Sequence, residues 1–124
     1  MKVTVWHRQG LYDLAPGSHL VPADLIEQHF RGYQPGDPIN AVYDYDHGTG
    51  PSFAADDMHQ IAEQAFRMFN GHPESSWEQD HTDRYYQAYN RSLSTGDVLV
   101  MGEIAMSCEP VGWTFATIPT QATS

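Results

Sequence analysis

The stretch that decides the fold is residues 90–115, where a polar loop leads into apolar strands. It opens with Asn90-Arg91-Ser92-Leu93-Ser94-Thr95-Gly96-Asp97-Val98-Leu99-Val100 and closes with Val111-Gly112-Trp113-Thr114-Phe115. Short hydroxyl side chains bond nearby backbone groups in turns, and glycine allows conformations that a β-carbon resists. A carboxylate at Asp97 can accept backbone N–H groups and close the turn. These residues predict a turn that feeds an antiparallel meander, with strands near 97–101, 103–108 and 112–117.

Two more strands are predicted before this region. Residues 2–6 alternate polar and apolar side chains, and residues 39–45 follow the turn signal of Pro35 to Pro38. The period of two in the second strand predicts that Ile39, Ala41, Tyr43 and Tyr45 share one face, with Asn40, Val42 and Asp44 on the other.

The clearest helix prediction is residues 53–70. Its apolar residues recur every three or four positions, and Asn70-Gly71 provides an end signal. Shorter helices are predicted at 21–30 and 82–90. Residues 9–21 are predicted as a loop, and residues 72–81 as a polar loop around Trp77.

Together these elements predict a single α+β domain over residues 1–118. A mainly antiparallel sheet carries one main helix, at about 53–70, on one face, and residues 119–124 form a flexible tail. The chain has 124 residues and one cysteine, Cys108, so no internal disulfide can form. Lys2 to Trp6 alternate like a strand rather than a leader, and no apolar run approaches the roughly 20 residues of a membrane span. We expect a cytoplasmic protein with no membrane association.

Negative charge is concentrated in the middle of the chain. The net charge is −10, and residues 37–83 hold ten acids and one base, Arg67. Phosphate binding requires clustered Lys and Arg, so this balance argues against direct nucleic-acid binding. The natural complement is a protein with a basic surface, and a merely solubilising surface is the alternative.

Aromatic residues lie among these acids. Tyr and Trp beside exposed charge are typical of recognition surfaces, although a tyrosine also buries its ring on any small domain. The candidate partner-binding residues are Tyr43, Asp44, Tyr45, Asp46, Asp56, Asp57 and Trp77.

Catalytic chemistry has little support in the sequence. No nucleophile elbow, phosphate loop or dinucleotide fingerprint is present, and Cys108 lies in a predicted strand. Asp44 and Asp46 alternate onto one strand face, so with a nearby histidine they could bind a divalent cation, or they could simply form an exposed strand face. No catalytic residue, metal ligand or cofactor is assigned.

The stretch from Arg91 to Val100, followed by Cys108 and Val111-Gly112-Trp113, resembles the signature of YodL-like domains. In that family an Arg or His precedes Ser-Leu-Ser, a Gly-Asp or Ser-Asp step, an apolar strand and a closing Gly-aromatic pair. Ala62 to Asn70 and Val3 to His7 also resemble small uncharacterised proteins of actinobacterial phages. Here Thr95 stands where the family often has Val. The resemblance implies a phage or mobile-element accessory protein located inside the host cell, and it implies no catalytic residues.

Turn chemistry alone accounts for the residue types of the signature, which favours a structural motif over an active site. The structural motif comprises Arg91, Ser92, Leu93, Ser94, Gly96, Asp97, Gly112 and Trp113.

Three functions follow as hypotheses. The first is a non-catalytic protein that binds a host protein, for host takeover or counter-defence. The second is a DNA mimic of the anti-restriction type, which requires the acids to lie in a row on one surface. The third is a metal-dependent enzyme that uses Asp44, Asp46 and a nearby histidine.

Overall fold

The computed structural model describes residues 1–9, 31–48 and 55–120, with side chains in α1 described from Asp57 onward. The elements are β1 (Lys2–Arg8), β2 (Ile39–Asp46), α1 (Ala55–Met68), α2 (Ser76–Gln87), β3 (Val98–Met101), β4 (Ile104–Cys108) and β5 (Trp113–Ala116). The predicted helix at 21–30, the predicted loop beyond Gln9 and residues 121–124 of the predicted tail lie outside the described residues. Of that tail, Pro119 is described and is buried.

The five strands form one antiparallel sheet in the order β2-β1-β3-β4-β5. β1 lies between β2 and β3, so that Val3 pairs with Tyr45 on one side and Met101 on the other. β3, β4 and β5 are consecutive neighbours and form the predicted meander. The predicted α+β domain with a mainly antiparallel sheet is therefore confirmed, with strand bounds close to those expected.

The main core lies between the sheet and the two helices. Ile61, Ala65 and Met68 of α1, together with Tyr85 of α2, pack against Val3 and Leu99 and other buried strand residues. The opposite face of the sheet has a smaller buried cluster of Ile39, Val98 and Ala105, with Trp6 and Tyr33 packed against it. Strands buried on both faces explain why the apolar residues of β3 run without interruption.

The predicted faces of β2 are wrong, because a β-bulge interrupts the alternation. Val5 pairs with Tyr43 but Trp6 pairs with Ala41, so β2 has one extra residue at Val42. The bulge puts Tyr43 and Tyr45 on the helix side of the sheet and Ile39 in the cluster on the other side.

The predicted loop at 72–81 is also wrong, since α2 begins at Ser76 rather than near residue 82. Ser75 is the N-cap, and its hydroxyl accepts a hydrogen bond from the Glu78 N–H at 3.1 Å. The helix ends at Gln87, so the sheet carries two helices of similar length. α1 ends near the predicted position, with Gly71 at φ 85°. Neither helix in the described part of the chain has the length and apolar character needed to cross a lipid bilayer.

Candidate partner-binding site

The candidate residues of β2 divide between the two sides of the sheet. Tyr43 and Tyr45 point toward the helices, whereas Asp44 and Asp46 are exposed. Trp77, in the first turn of α2, lies on the helix side of the sheet with the two tyrosines. We call this region, which includes both sides of the edge strand β2, the β2–α2 face and define it by Tyr43, Asp44, Asp46, Trp77, Asp80 and His81.

An aromatic cluster forms the centre of the β2–α2 face. The Tyr45 ring centroid lies 6.0 Å from that of Trp77 and 5.3 Å from that of His81, and the Trp77 and His81 centroids are 4.7 Å apart. Tyr43 adds a 2.8 Å hydrogen bond between its hydroxyl and Nδ1 of His81. The cluster continues into the core through Phe69, so the aromatic rings at the surface rest on a packed base.

Trp77 and Tyr45 have different roles in this cluster. Trp77 is 39% exposed, so its indole can contact another molecule. Tyr45 is only 4% exposed and belongs to the core, and burial raises the pKa of its hydroxyl. The prediction that Tyr45 contacts a partner is therefore corrected: it supports Trp77 from below.

Asp80 and His81 are the residues of this face that the sequence analysis missed, and His81 belongs to the aromatic cluster. Burial, and then the positive charge of Arg84, lower the pKa of His81 below its ordinary value. In the tautomer protonated on Nε2, Nδ1 accepts this hydrogen bond from the Tyr43 hydroxyl; in the other tautomer Nδ1–H donates it. Trp77 and His81 are four positions apart, a spacing that brings them together only on a helix, and residues 72–81 were predicted as a loop.

The exposed carboxylates of this region lie on both sides of the edge strand β2: Asp80 is on the helix side, and Asp44 and Asp46 are on the side away from the aromatic cluster. Asp44 lies 3.7 Å from Nζ of Lys2, and Asp80 lies 3.0 Å from the guanidinium of Arg84. Asp46 binds the amino group of Met1 at 2.9 Å and also accepts the Gly48 N–H. Three cations therefore neutralise these carboxylates in part, and the carboxylates stay open to solvent.

Two of the nine acids between residues 37 and 83 whose side chains are described are not at the surface. Glu78 binds the guanidinium of Arg67 through both carboxylate oxygens, at 2.8 and 2.7 Å, and Asp37 pairs with Arg31 and Arg8. Burial alone would raise the pKa of Glu78, but hydrogen bonds from Arg67 and neighbouring groups outweigh it and hold the pKa low. The acidic segment is thus not one continuous row of exposed carboxylates.

A cavity of about 390 Å³ adjoins the aromatic cluster. His47, whose ring centroid lies 6.3 Å from that of Trp77, forms one wall. The described lining residues are His47, Asp57, Gln60, Ile61, Gln64 and Arg67. The candidate residue Asp57 is exposed at the cavity, while the side chain of Asp56 lies outside the described part of the structure.

Polar groups beside this cavity are incompletely satisfied. The Tyr45 hydroxyl, Gln64 Oε1 and Arg67 Nε are buried and make no hydrogen bond in the described part of the chain. Buried polar groups without partners are costly and uncommon in native proteins.

The predicted structural motif forms a closed network, which we call the Arg91–Asp97 loop (residues 91–97). Asp97 is 0% exposed, and its two oxygens accept a bidentate pair of bonds from Arg91 at 2.7 and 2.8 Å. The backbone N–H groups of Ser94 and Arg8 also donate hydrogen bonds to the Asp97 carboxylate, at 2.8 and 2.9 Å. The predicted turn closure by Asp97 is confirmed, and the ion pair with Arg91 adds a contact that spacing alone did not reveal.

The remaining motif residues anchor this loop to the core. Leu93 is buried, while Ser92 and Ser94 are exposed. Gly96 has φ 91°, and a β-carbon there would lie 2.0 Å from the guanidinium carbon of Arg8. Gly112 has φ 77° in the turn before β5, and Trp113 packs into the main core.

A hydrogen-bonded chain joins the same loop to β1 and α2. The Tyr85 hydroxyl donates to the carbonyl of Arg91 at 2.5 Å, so it accepts from Nε2 of His7, also at 2.5 Å. His7 therefore carries its proton on Nε2. These two hydrogen bonds join β1, α2 and the Arg91–Asp97 loop.

Metal ligation has no support in the described residues, among which no three His, Cys, Asp or Glu side chains are grouped as a metal site. Comparison with protein-family models, curated proteins and solved structures finds no match to this chain. The site itself is therefore the basis for inferring a function.

Proposed function

We propose that this protein is a non-catalytic binding protein whose β2–α2 face engages a basic surface on a host protein. The observation that carries the proposal is the position of Trp77, an exposed indole on a packed aromatic base beside the edge strand β2, which has exposed carboxylates on its other side. Tryptophan and tyrosine dominate the binding energy of many interfaces, especially where a rigid support holds them. The exposed carboxylates of α2 and β2 select the sign of the partner's charge.

Long-range electrostatics supports the same choice of partner. Seven acids of residues 37–83 have exposed side chains: Asp44, Asp46, Asp57, Glu63, Glu74, Asp80 and Asp83. In a chain with net charge −10, such a surface attracts a basic partner and accelerates its association. Salt screens this attraction, so binding should weaken as ionic strength rises.

The potential nucleophile is in an unfavourable place for catalysis. Cys108 is buried in β4, and burial raises the pKa of its thiol to about 12. A thiol with so high a pKa is mostly protonated near neutral pH and is a poor nucleophile. This supports a binding role over nucleophilic catalysis.

The biological setting that we propose is a phage or mobile-element accessory protein acting on a host protein. This part rests on the resemblance of residues 91–113 to YodL-like domains. Host takeover and counter-defence both fit a small binding protein that acts by occupying a partner's surface.

Affinity capture with matched variants tests the proposal. Purified protein is used to capture proteins from a host lysate, and quantitative mass spectrometry compares wild type, Trp77→Ala, Asp44→Asn/Asp80→Asn and Glu63→Gln/Glu103→Gln. The two double variants change the net charge equally, but only the first alters the β2–α2 face. We expect a basic protein to be lost with the first two variants and kept with the control.

Two results would contradict this proposal. One is a partner captured equally well by the Trp77 variant and by both double variants. The other is a partner that is lost equally with both double variants, which would indicate a response to total charge alone. A captured DNA-binding protein whose release by added DNA does not depend on Trp77 would favour the DNA mimic instead.

A further inference from the structure

Strand β2 forms an edge of the sheet, and part of its backbone faces away from the sheet. Among the described strands, only β1 pairs with β2. The His47 N–H donates to the Met1 carbonyl at 2.8 Å, and in an antiparallel ladder such bonded pairs recur at every second residue. Asp44 and Asp46 therefore direct their backbone N–H and C=O groups outward, and no described residue bonds to these groups.

The other side of β1 shows the same alternation. The Gly102 N–H donates to the Lys2 carbonyl at 3.2 Å, so the backbone of Lys2 bonds toward β3. Lys2 lies opposite Asp46, and the backbone groups of this pair thus point away from each other. The outward groups of Asp46 and Asp44 are those that an added strand would use.

The two sides of β2 carry different side chains. Those of Asp44 and Asp46 are 61% and 80% exposed, on the side away from the helices. Trp77 lies on the helix side, with its ring centroid 6.0 Å from that of Tyr45. A partner docked against one side of the sheet reaches only one of these groups. A strand added to β2 reaches both, because successive side chains of a strand point to opposite sides of the sheet.

We propose that an extended segment of the basic partner adds to β2 as an antiparallel strand, a binding mode that rests on the proposed function. Two Lys or Arg side chains of the segment, two positions apart, lie opposite Asp44 and Asp46. The apolar side chain between them lies opposite Tyr45 on the helix side, where it packs against Trp77. The β-bulge in β2 interrupts the regular edge, so the added strand pairs with residues 43–46. Backbone hydrogen bonds supply affinity, and the alternating side chains supply specificity.

Charge selects this occupant over an acidic segment or a second copy of this chain. Pairing of residues 43–46 with the same residues of a second copy would place Asp44 and Asp46 opposite acids, and like charges directly opposite each other destabilise a ladder. Each copy also has a net charge of −10. Within the chain, Asp44 is neutralised only in part, since Lys2 Nζ is 3.7 Å away and both side chains are exposed. A basic strand pairs with the carboxylates that disfavour the other occupants.

Titration of the isotope-labelled protein with three synthetic peptides, followed by NMR, tests the proposal. The parent peptide is acetyl-Thr-Arg-Val-Arg-Thr-amide, and the other two have N-methyl groups on both arginines or on the valine. The arginine N–H groups donate to the carbonyls of Asp44 and Asp46 in the proposed pairing, so their methylation should weaken binding at least about tenfold. The valine N–H faces away from β2, so its methylation should leave binding unchanged. All three peptides have the same charge, and a difference between them therefore reports on strand pairing.

Hydrogen exchange and a charge variant provide two further measurements. With the parent peptide bound, exchange at the Asp44 and Asp46 amides should slow, whereas exchange at Tyr45, already bonded to β1, should be unchanged. Asp44→Asn/Asp46→Asn should weaken binding of the parent peptide several-fold, because both cross-strand charge pairs are lost. Glu63→Gln/Glu103→Gln changes the net charge equally and should bind the peptide like the wild type.

The proposal is overturned if the parent peptide does not bind at millimolar concentration, or if the two methylated peptides bind equally well. The capture experiment separates this outcome from failure of the proposed function. If the host partner is lost with Trp77→Ala but is not displaced by the parent peptide, the β2–α2 face binds the partner and strand pairing is wrong. If the peptides behave as expected but no captured protein depends on Trp77, β2 accepts a basic strand and the proposed function is wrong.

Discussion

The Arg91–Asp97 loop and the β2–α2 face use their polar and aromatic groups in opposite ways. In the loop, a buried carboxylate and a guanidinium satisfy each other and two backbone N–H groups. At the β2–α2 face, an indole and several carboxylates remain at the surface. Below that face, the Tyr45 hydroxyl and two further buried polar atoms make no hydrogen bond within the described residues.

This difference separates the part of the molecule that holds the fold from the part available for binding. A network whose members are all satisfied is rigid and leaves no group for a ligand. A supported aromatic residue with unsatisfied neighbours can gain contacts when a partner arrives. The comparison predicts that substitutions in the loop affect mainly stability, and that substitutions on the face affect mainly binding.

Asp97→Ala should give the largest effect. Removing this buried carboxylate leaves the N–H groups of Ser94 and Arg8 without their acceptor and takes the counter-ion from the partly exposed Arg91 guanidinium. Breaking one partner of a buried ion pair typically costs about 3–5 kcal/mol of unfolding free energy. Urea denaturation measures the loss. A cost below about 1 kcal/mol, the range of surface ion pairs, would show that the loop does not hold the fold.

Gly96→Ala should be the next most damaging change. Both the positive φ of 91° and the Arg8 guanidinium oppose a β-carbon there. Gly36→Ala is the matched control, since Gly36 has φ 97° and no atom lies within 4 Å of the position that its β-carbon would take. The control should cost about 1–2 kcal/mol for the left-handed conformation alone. Gly96→Ala should cost more by the same denaturation assay, and equal costs would mean that Arg8 moves aside freely.

Local patterns predicted most of the fold because they act within a few residues. Glycine and aspartate in the 91–97 stretch, the apolar stripe of α1 and the strand alternation of β1 each depend on neighbours in sequence. The bulge at Val42 could not be predicted, because it arises from pairing between β1 and β2, more than thirty positions apart. Nor could the Arg91–Asp97 ion pair, since turn chemistry already accounted for both residue types.

The start of α2 shows that a wrong secondary-structure prediction also prevents a site from being predicted. Residues 72–81 are polar and lack an apolar stripe, so their helix depends on the Ser75 cap and on tertiary contacts rather than on periodicity. With a loop predicted there, nothing in the sequence indicated that Trp77 and His81 lie close together. The candidates Tyr43, Tyr45 and Trp77 nevertheless lie in one aromatic cluster, whereas Asp44 and Asp46 lie on the opposite side of β2.

Trp77→Ala should change binding more than folding. The indole is partly exposed, so its removal should leave a cooperative unfolding transition with a modest loss of stability. A central aromatic residue of an interface typically contributes at least about 2 kcal/mol, or roughly a thirtyfold change in Kd. Titration calorimetry with the captured partner measures this change. If the Kd is unchanged while the unfolding free energy falls by several kcal/mol, Trp77 stabilises the fold and does not bind the partner. The contrast between a structural loop and a binding face would then be wrong.

The smallest expected effect is a pH dependence centred on His81. Its pKa is lowered in the folded state by burial and by Arg84, so the unfolded chain takes up a proton first as pH falls. Stability should therefore be full above the ordinary histidine value of about 6.5 and should decline as pH drops through it. Urea midpoints between pH 7.5 and 5.5 measure the decline, and His81→Gln should flatten it.

Below about pH 5 both proteins should lose stability together, since the pKa values of Asp37 and Glu78 are held low by their arginine partners despite burial. If stability declines with equal slope in the variant, another histidine causes the pH dependence. His81 would then not contribute to the pH response of the β2–α2 face.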